Sequence, residues 1–200
     1  MRLITLFFLG SAMTTSSVLL DGQTFEDGIN AYAAEEYEIA AEIFKSLSND
    51  GNAQAMARVG EMYYDGHGFP QNSTEAAKWY RMAAEQGLAA AQFNLGVMYI
   101  NGKGVPRDYA EAAKWYRMAA EQGFAAAQFN LGGMYALGEG LVQNFSNAYI
   151  LFNLTIAQGY EYARKNRDLV AERLSPDQLV EAQRLSSEWK VGELLPLQVP

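Results

Sequence analysis

The chain of 200 residues contains no cysteine and a single histidine, His67. Without cysteine there is no disulfide scaffold, no thiolate metal site, no cysteine nucleophile and no thiol redox chemistry. One histidine also excludes any two-histidine zinc motif. Positive charge is scarce: 15 Lys and Arg face 23 Asp and Glu, for a net charge of −8. Nucleic acid needs clustered cations against its phosphates, so it is not an expected partner, and a basic or neutral protein surface fits better. Only 5 prolines occur against 18 glycines. Scattered glycines would signal loops, but half of the residues are hydrophobic and 12% aromatic, enough to bury a core. This composition leads us to expect no cofactor and no metal.

The first charged residue, Arg2, precedes an uncharged run from Leu3 to Leu20 that is densest in apolar side chains between Leu3 and Leu9. A charged start, a short apolar stretch and small residues after it read as a secretory signal peptide over residues 1–20. An uncleaved anchor is the competing reading, but the run is diluted by Ser and Thr and barely reaches the length of about 18 residues that a span needs. The expectation is therefore export, to the periplasm or the extracellular space, with no membrane span once the signal is cut.

Beyond it the sequence repeats itself. Glu75 to Gly87 recurs without change as Glu111 to Gly123, and Ala89 to Gly96 recurs as Ala125 to Gly132, both at an offset of 36 residues. Thirteen of the 18 glycines fall into four columns of this repeat: Gly51, Gly87, Gly123 and Gly159; Gly60, Gly96 and Gly132; Gly66, Gly102 and Gly138; Gly68, Gly104 and Gly140. Each unit reads as two helices. The first ends in a Gly-x-Gly turn, and the second opens on a cap, Asn72, Asp108 or Asn144. Glu75 and Glu111 stand three residues on, where a capping box would place them. The second helix stops at Gly87 or Gly123, suited to a left-handed residue. Glycine inside a helix costs up to about 1 kcal/mol, so Gly60, Gly96 and Gly132 predict close approach of a partner helix, with Trp79 or Trp115 needing the room. Leu151 takes the tryptophan position in the last unit, and its packing should differ. After Gly159 the period is lost; Tyr160–Leu174 and Pro176–Lys190 read as closing helices, and the tail from Val191 as frayed.

The pattern Ala-x-x-x-x-Leu-Gly-x-x-Tyr-x-x-Gly-x-Gly-Val, followed by Ala-x-x-Trp-Tyr-x-x-Ala-Ala-x-x-Gly, resembles the Sel-1-like repeat, a relative of the tetratricopeptide repeat. The match is dense over residues 53–88 and 89–124 and divergent over 125–160. Residues 25–52, with Gly28, Tyr37, Ala40, Phe44 and Leu47, are more similar to a tetratricopeptide helix pair with a short turn. The resemblance implies an all-α fold, a right-handed α-solenoid of stacked two-helix repeats, closed by capping helices over 161–190 and a tail over 191–200.

It also implies that first helices line a concave groove. Carried over position by position, the groove residues are Phe25, Ile29 and Tyr32; Ala57, Glu61 and Tyr64; Phe93, Val97 and Ile100, with Asn101; and Phe129, Gly133 and Ala136. The alternative is that the aromatics merely pack between helices. Such a groove suits an extended or helical segment of another protein. The expected function is a non-enzymatic scaffold of the bacterial cell envelope, with self-association open because near-identical repeats can stack. The rival is an enzyme, since some cysteine-rich Sel-1-like proteins are described as penicillin-binding or weakly β-lactam-hydrolysing; this chain lacks their cysteines. His67, equivalent to Lys103 and Glu139, reads as an exposed loop residue. Lys78, Arg81, Lys114 and Arg117 read as a solvated face. No catalytic residue is singled out.

Overall fold

A computed structural model describes residues 22–197. The signal peptide expected over residues 1–20 lies outside the described residues. Among those described, the chain is all helix: α1 Phe25–Ala33, α2 Tyr37–Asn49, α3 Ala53–Asp65, α4 Ser73–Glu85, α5 Ala89–Asn101, α6 Tyr109–Glu121, α7 Ala125–Leu137, α8 Phe145–Ala157, a 3-10 turn Glu161–Ala163, α9 Arg164–Ala171 and α10 Pro176–Glu188. Odd-numbered helices up to α7 are the first helices of their hairpins and even-numbered ones the second. Each packs on its neighbours in the chain, the pattern of a solenoid.

Local rules explain the boundaries. Asn72, Asp108 and Asn144 sit in extended backbone and accept hydrogen bonds from the first-turn amides of α4, α6 and α8. The reciprocal half of the expected capping box is absent: Glu75 and Glu111 instead pair with Lys78 and Lys114. Complete boxes occur elsewhere, at Thr24 with Asp27 and at Ser175 with Gln178.

The helix-internal glycines do make room, but for other side chains than the tryptophans. A Cβ at Gly96 would stand 2.6 Å from the ring of Tyr116, and at Gly60 or Gly132 it would press on Tyr80 or Phe152. The ring that faces the glycine is the one after the tryptophan, because that position is fully turned into the hairpin: Tyr116 is 2% exposed, whereas Trp115 is half-buried. The second glycine of each Gly-x-Gly turn has a different task. Gly104, at φ +71°, lies so close to the backbone of Ser73 that no side chain fits, which ties each turn to the start of the preceding repeat's second helix.

The carboxyl-terminal part departs from expectation in two ways. The period survives Gly159: Ala163, Asn166 and Val170 repeat Ala127, Asn130 and Met134, and α9 packs on α8 as α7 packs on α6. Tyr160–Leu174 is thus a 3-10 turn leading into the shorter α9, a first helix without its own partner. The following helix, α10, lies along α8 instead, where Gln183 donates to the Tyr149 hydroxyl and Asn153 to Ser186 Oγ at 2.8 Å. Leu151, at the tryptophan position, is completely buried. The segment expected to be frayed is docked as far as residue 197. Gly192 N–H donates to the orphan carbonyl of Glu121 at the end of α6 (2.9 Å), Val191 covers Gly123, and Leu195 is buried.

Candidate partner-binding groove

Polar side chains that repeat with the hairpins set the spacing of the first helices. Gln92 and Gln128 are buried; each donates to a carbonyl of the preceding helix, Ala84 or Ala120, at 3.1 Å. Their own oxygens accept from Gln122 and Gln158 at 2.8 Å, so a glutamine ladder runs through the stack. Arg81 and Arg117 belong to a second ladder, donating to the Tyr99 and Tyr135 hydroxyls, the first at 2.5 Å. These two arginines are half-buried connectors between repeats, contrary to the solvated face expected of them. The Tyr80 and Tyr116 hydroxyls also face Asn94 and Asn130, and burial pushes both phenols above their ordinary range. Sequence reasoning missed these ladders. Their only trace was identity at an offset of 36, and the partner of a buried glutamine cannot be read from the glutamine.

Against that frame the expected groove residues divide. Phe25, Ala57 and Glu61 line one cleft of about 380 Å³ together with Gln54, Arg58 and Asn94. Glu61 is paired with Arg58 at 2.7 Å. Gly133 and Ala136 line another cleft, of about 390 Å³, at the opposite end of the row. Between the clefts, Phe93 leans on Tyr116 and Phe124, and Phe129 on Phe152 and Tyr162, with ring centroids 4.9–5.6 Å apart. Phe93, Val97, Ile100 and Phe129 are each half-buried, so they pack between helices and present an edge to solvent. Asn101 is exposed, but its amide donates to the Val97 carbonyl of its own helix at 2.9 Å. Tyr64 lies under Lys103, whose ammonium donates to its hydroxyl at 3.0 Å.

Tyr32 is committed elsewhere. Its hydroxyl meets His67 Nδ1 at 2.9 Å, and His67 stacks on Tyr37 at 4.3 Å. His67 is therefore a half-buried wedge that seats the Gly66–Gly68 turn on the first hairpin, not an exposed loop residue. Sequence comparison misled here because Lys103 and Glu139, its equivalents, have no pair of tyrosines beside them.

For catalysis the geometry offers little convergence. Among the described residues no group of three or more His, Asp or Glu side chains could hold a metal ion. Ser187 and Lys190 stand at the Ser-x-x-Lys spacing of penicillin-binding enzymes, but Ser187 is exposed and its hydroxyl donates to the Arg184 carbonyl in α10. No helix of the described residues is long and apolar enough to cross a membrane.

Stacked helical hairpins, tied by repeating polar ladders around a half-buried apolar row, define an α-solenoid repeat protein. The chain belongs to the Sel1 repeat family, whose model matches residues 53–88, 89–124 and 125–160. Proteins of this family generally mediate protein–protein interaction. A Sel1 repeat protein from Oxalobacter formigenes is similar over 82% of this chain and 70% of its own, with 32% identity and a TM-score of 0.72. A protective antigen of uropathogenic Escherichia coli strains, displaying an SLR fold, is 29% identical with a TM-score of 0.70. That match covers 85% of this chain and 39% of the antigen. Comparison with curated protein sequences finds no match.

Proposed function

We propose that this protein is an exported scaffold of the cell envelope that holds a peptide or protein segment along its row of first helices and catalyses no reaction. The observation that carries the groove is the half-buried row of Phe93, Val97, Ile100 and Phe129 with a cleft at each end. An edge of aromatic or branched surface, already held in place by its neighbours, can bury against a partner at small entropic cost. Export is supported by Arg2 and the uncharged run after it.

The decisive measurement is capture of partners from envelope extract with the wild-type chain and with Phe93→Ala/Val97→Ala, both shown to be folded by circular dichroism. The reading requires the double variant to lose partners that the wild type retains; equal capture would remove the groove. Fractionation of cells making the full chain, with intact-mass measurement, tests export: the expected product is outside the cytoplasm and shorter by the signal. Incubation with a chromogenic β-lactam should give no turnover after rigorous purification.

A further inference from the structure

The cleft at the carboxyl-terminal end of the row has a cause in the sequence. Gly133 and Ala136 of α7 stand where α5 carries Val97 and Ile100, and a Cβ added at Gly133 would meet nothing within 4 Å. The space that α5 fills with its own side chains is left open in α7. Phe152 forms part of the cleft where the two preceding hairpins carry Tyr80 and Tyr116. That change removes a hydroxyl. Asn94 and Asn130 face those tyrosine hydroxyls, but Asn166, their equivalent in α9, has no hydroxyl to face, and its side chain has no hydrogen-bond partner within the described residues. Its amide lines the cleft instead.

Arg173 is at the rim as well. Its guanidinium lies over the Phe145 ring at 5.3 Å and makes no ion pair within the described residues, unlike Arg164, Arg167 and Arg184. Glu172, also without an ion pair there, completes the rim. Leu137 and Leu169 remain 68% and 54% exposed beside it. An apolar hollow thus carries three uncommitted groups at its edge: a cation, a carboxylate and an amide.

We propose that this cleft is the terminal subsite of the groove and takes the last residue of a peptide that ends in an apolar side chain. The proposal rests on the groove reading and extends it to the class of ligand end. A free carboxylate is the complement of an unpaired guanidinium, with the Asn166 amide as a second donor. The last peptide N–H can donate to Glu172, and the side chain fills the space over Gly133. About 390 Å³ falls in the range of small-ligand sites and accommodates one or two residues.

Fluorescence anisotropy with a labelled Gly/Ser heptapeptide ending in leucine tests this directly. The free acid should bind at least tenfold more tightly than the same peptide amidated at its end. Gly133→Val, which copies α5, should abolish binding without lowering the melting temperature. Arg173→Gln should weaken the acid about tenfold and leave the amide unchanged. Equal affinity for acid and amide, or binding that survives Gly133→Val, overturns the subsite. So does displacement of the peptide by free leucine or decanoate at equal concentration, which would make an amino acid or a fatty acid the ligand. If the subsite fails while Phe93→Ala/Val97→Ala still loses partners from extract, the groove reading stands without it.

Discussion

Two glycines of neighbouring repeats show how much a single Cβ decides. Gly96 faces the Tyr116 ring with no room to spare, and Gly133 faces open space. Alanine should therefore act with opposite sign at the two. Overpacking at Gly96→Ala is expected to cost about 1–3 kcal/mol. Gly133→Ala should gain about 0.5–1 kcal/mol from helix propensity alone. Urea unfolding of both variants checks the pair, and a loss at Gly133 would show that the cleft is filled. The same packing governs the phenols. Burial raises the ionisation of Tyr80 and Tyr116 above its value in the unfolded chain, so the folded state holds those protons more tightly. Their stabilising contribution is fully present below about pH 10, the ordinary tyrosine value, and is lost as pH rises through the folded-state values. Urea midpoints between pH 8 and 11 should fall, and fall less steeply in Tyr80→Phe/Tyr116→Phe.

At the scale of elements, sequence legibility follows how much of an element's role is local. Turns, caps and the two helices of each hairpin were readable because glycine, asparagine and aspartate act within a few residues of themselves. The register of α9 was hidden: Lys165, Arg167 and Asp168 replace Phe129, Leu131 and Gly132, and only buried Ala163 and Val170 and half-buried Asn166 keep the repeat's character. The docking of the last segment was equally unreadable, since nothing in Leu194-Leu195-Pro196 names α6 as its support. For the groove, the small side chains of Gly133 and Ala136 were visible in the sequence; the cleft they open depends on where α9 stops. The docked segment yields its own prediction. Leu195→Ala should destabilise the chain by about 2–3 kcal/mol, as for other buried leucines. Removing residues 191–200 should do at least as much and also speed amide exchange at the end of α6, where the Glu121 carbonyl loses its donor. Unchanged stability in both variants would mean that the segment is not held in solution.

Across the whole molecule, contacts run from each hairpin to the next, so stability is a chain of local interfaces and need not be uniform. The buried side chains form two clusters. One is built by α1, α2 and α3 around Phe44, Val59 and Met62, and the larger one spans α3 to α10. Half-buried Tyr63 and Trp79 pack on both. The first cluster is small, lies at one end and is closed by the contact of Tyr32 and Tyr37 with His67. The second is continuous and fastened at its far end by α10 and the segment after it. Native-state hydrogen exchange should therefore show α1 and α2 opening together at lower free energy than α5 to α8. Tyr32→Phe removes one hydrogen bond of the closing contact and should lower protection of α1 and α2 by about 1 kcal/mol, leaving α7 and α8 unaffected. Equal exchange along the solenoid, or an effect of Tyr32→Phe that reaches α8, would show that the hairpins unfold as one cooperative unit despite their divided core.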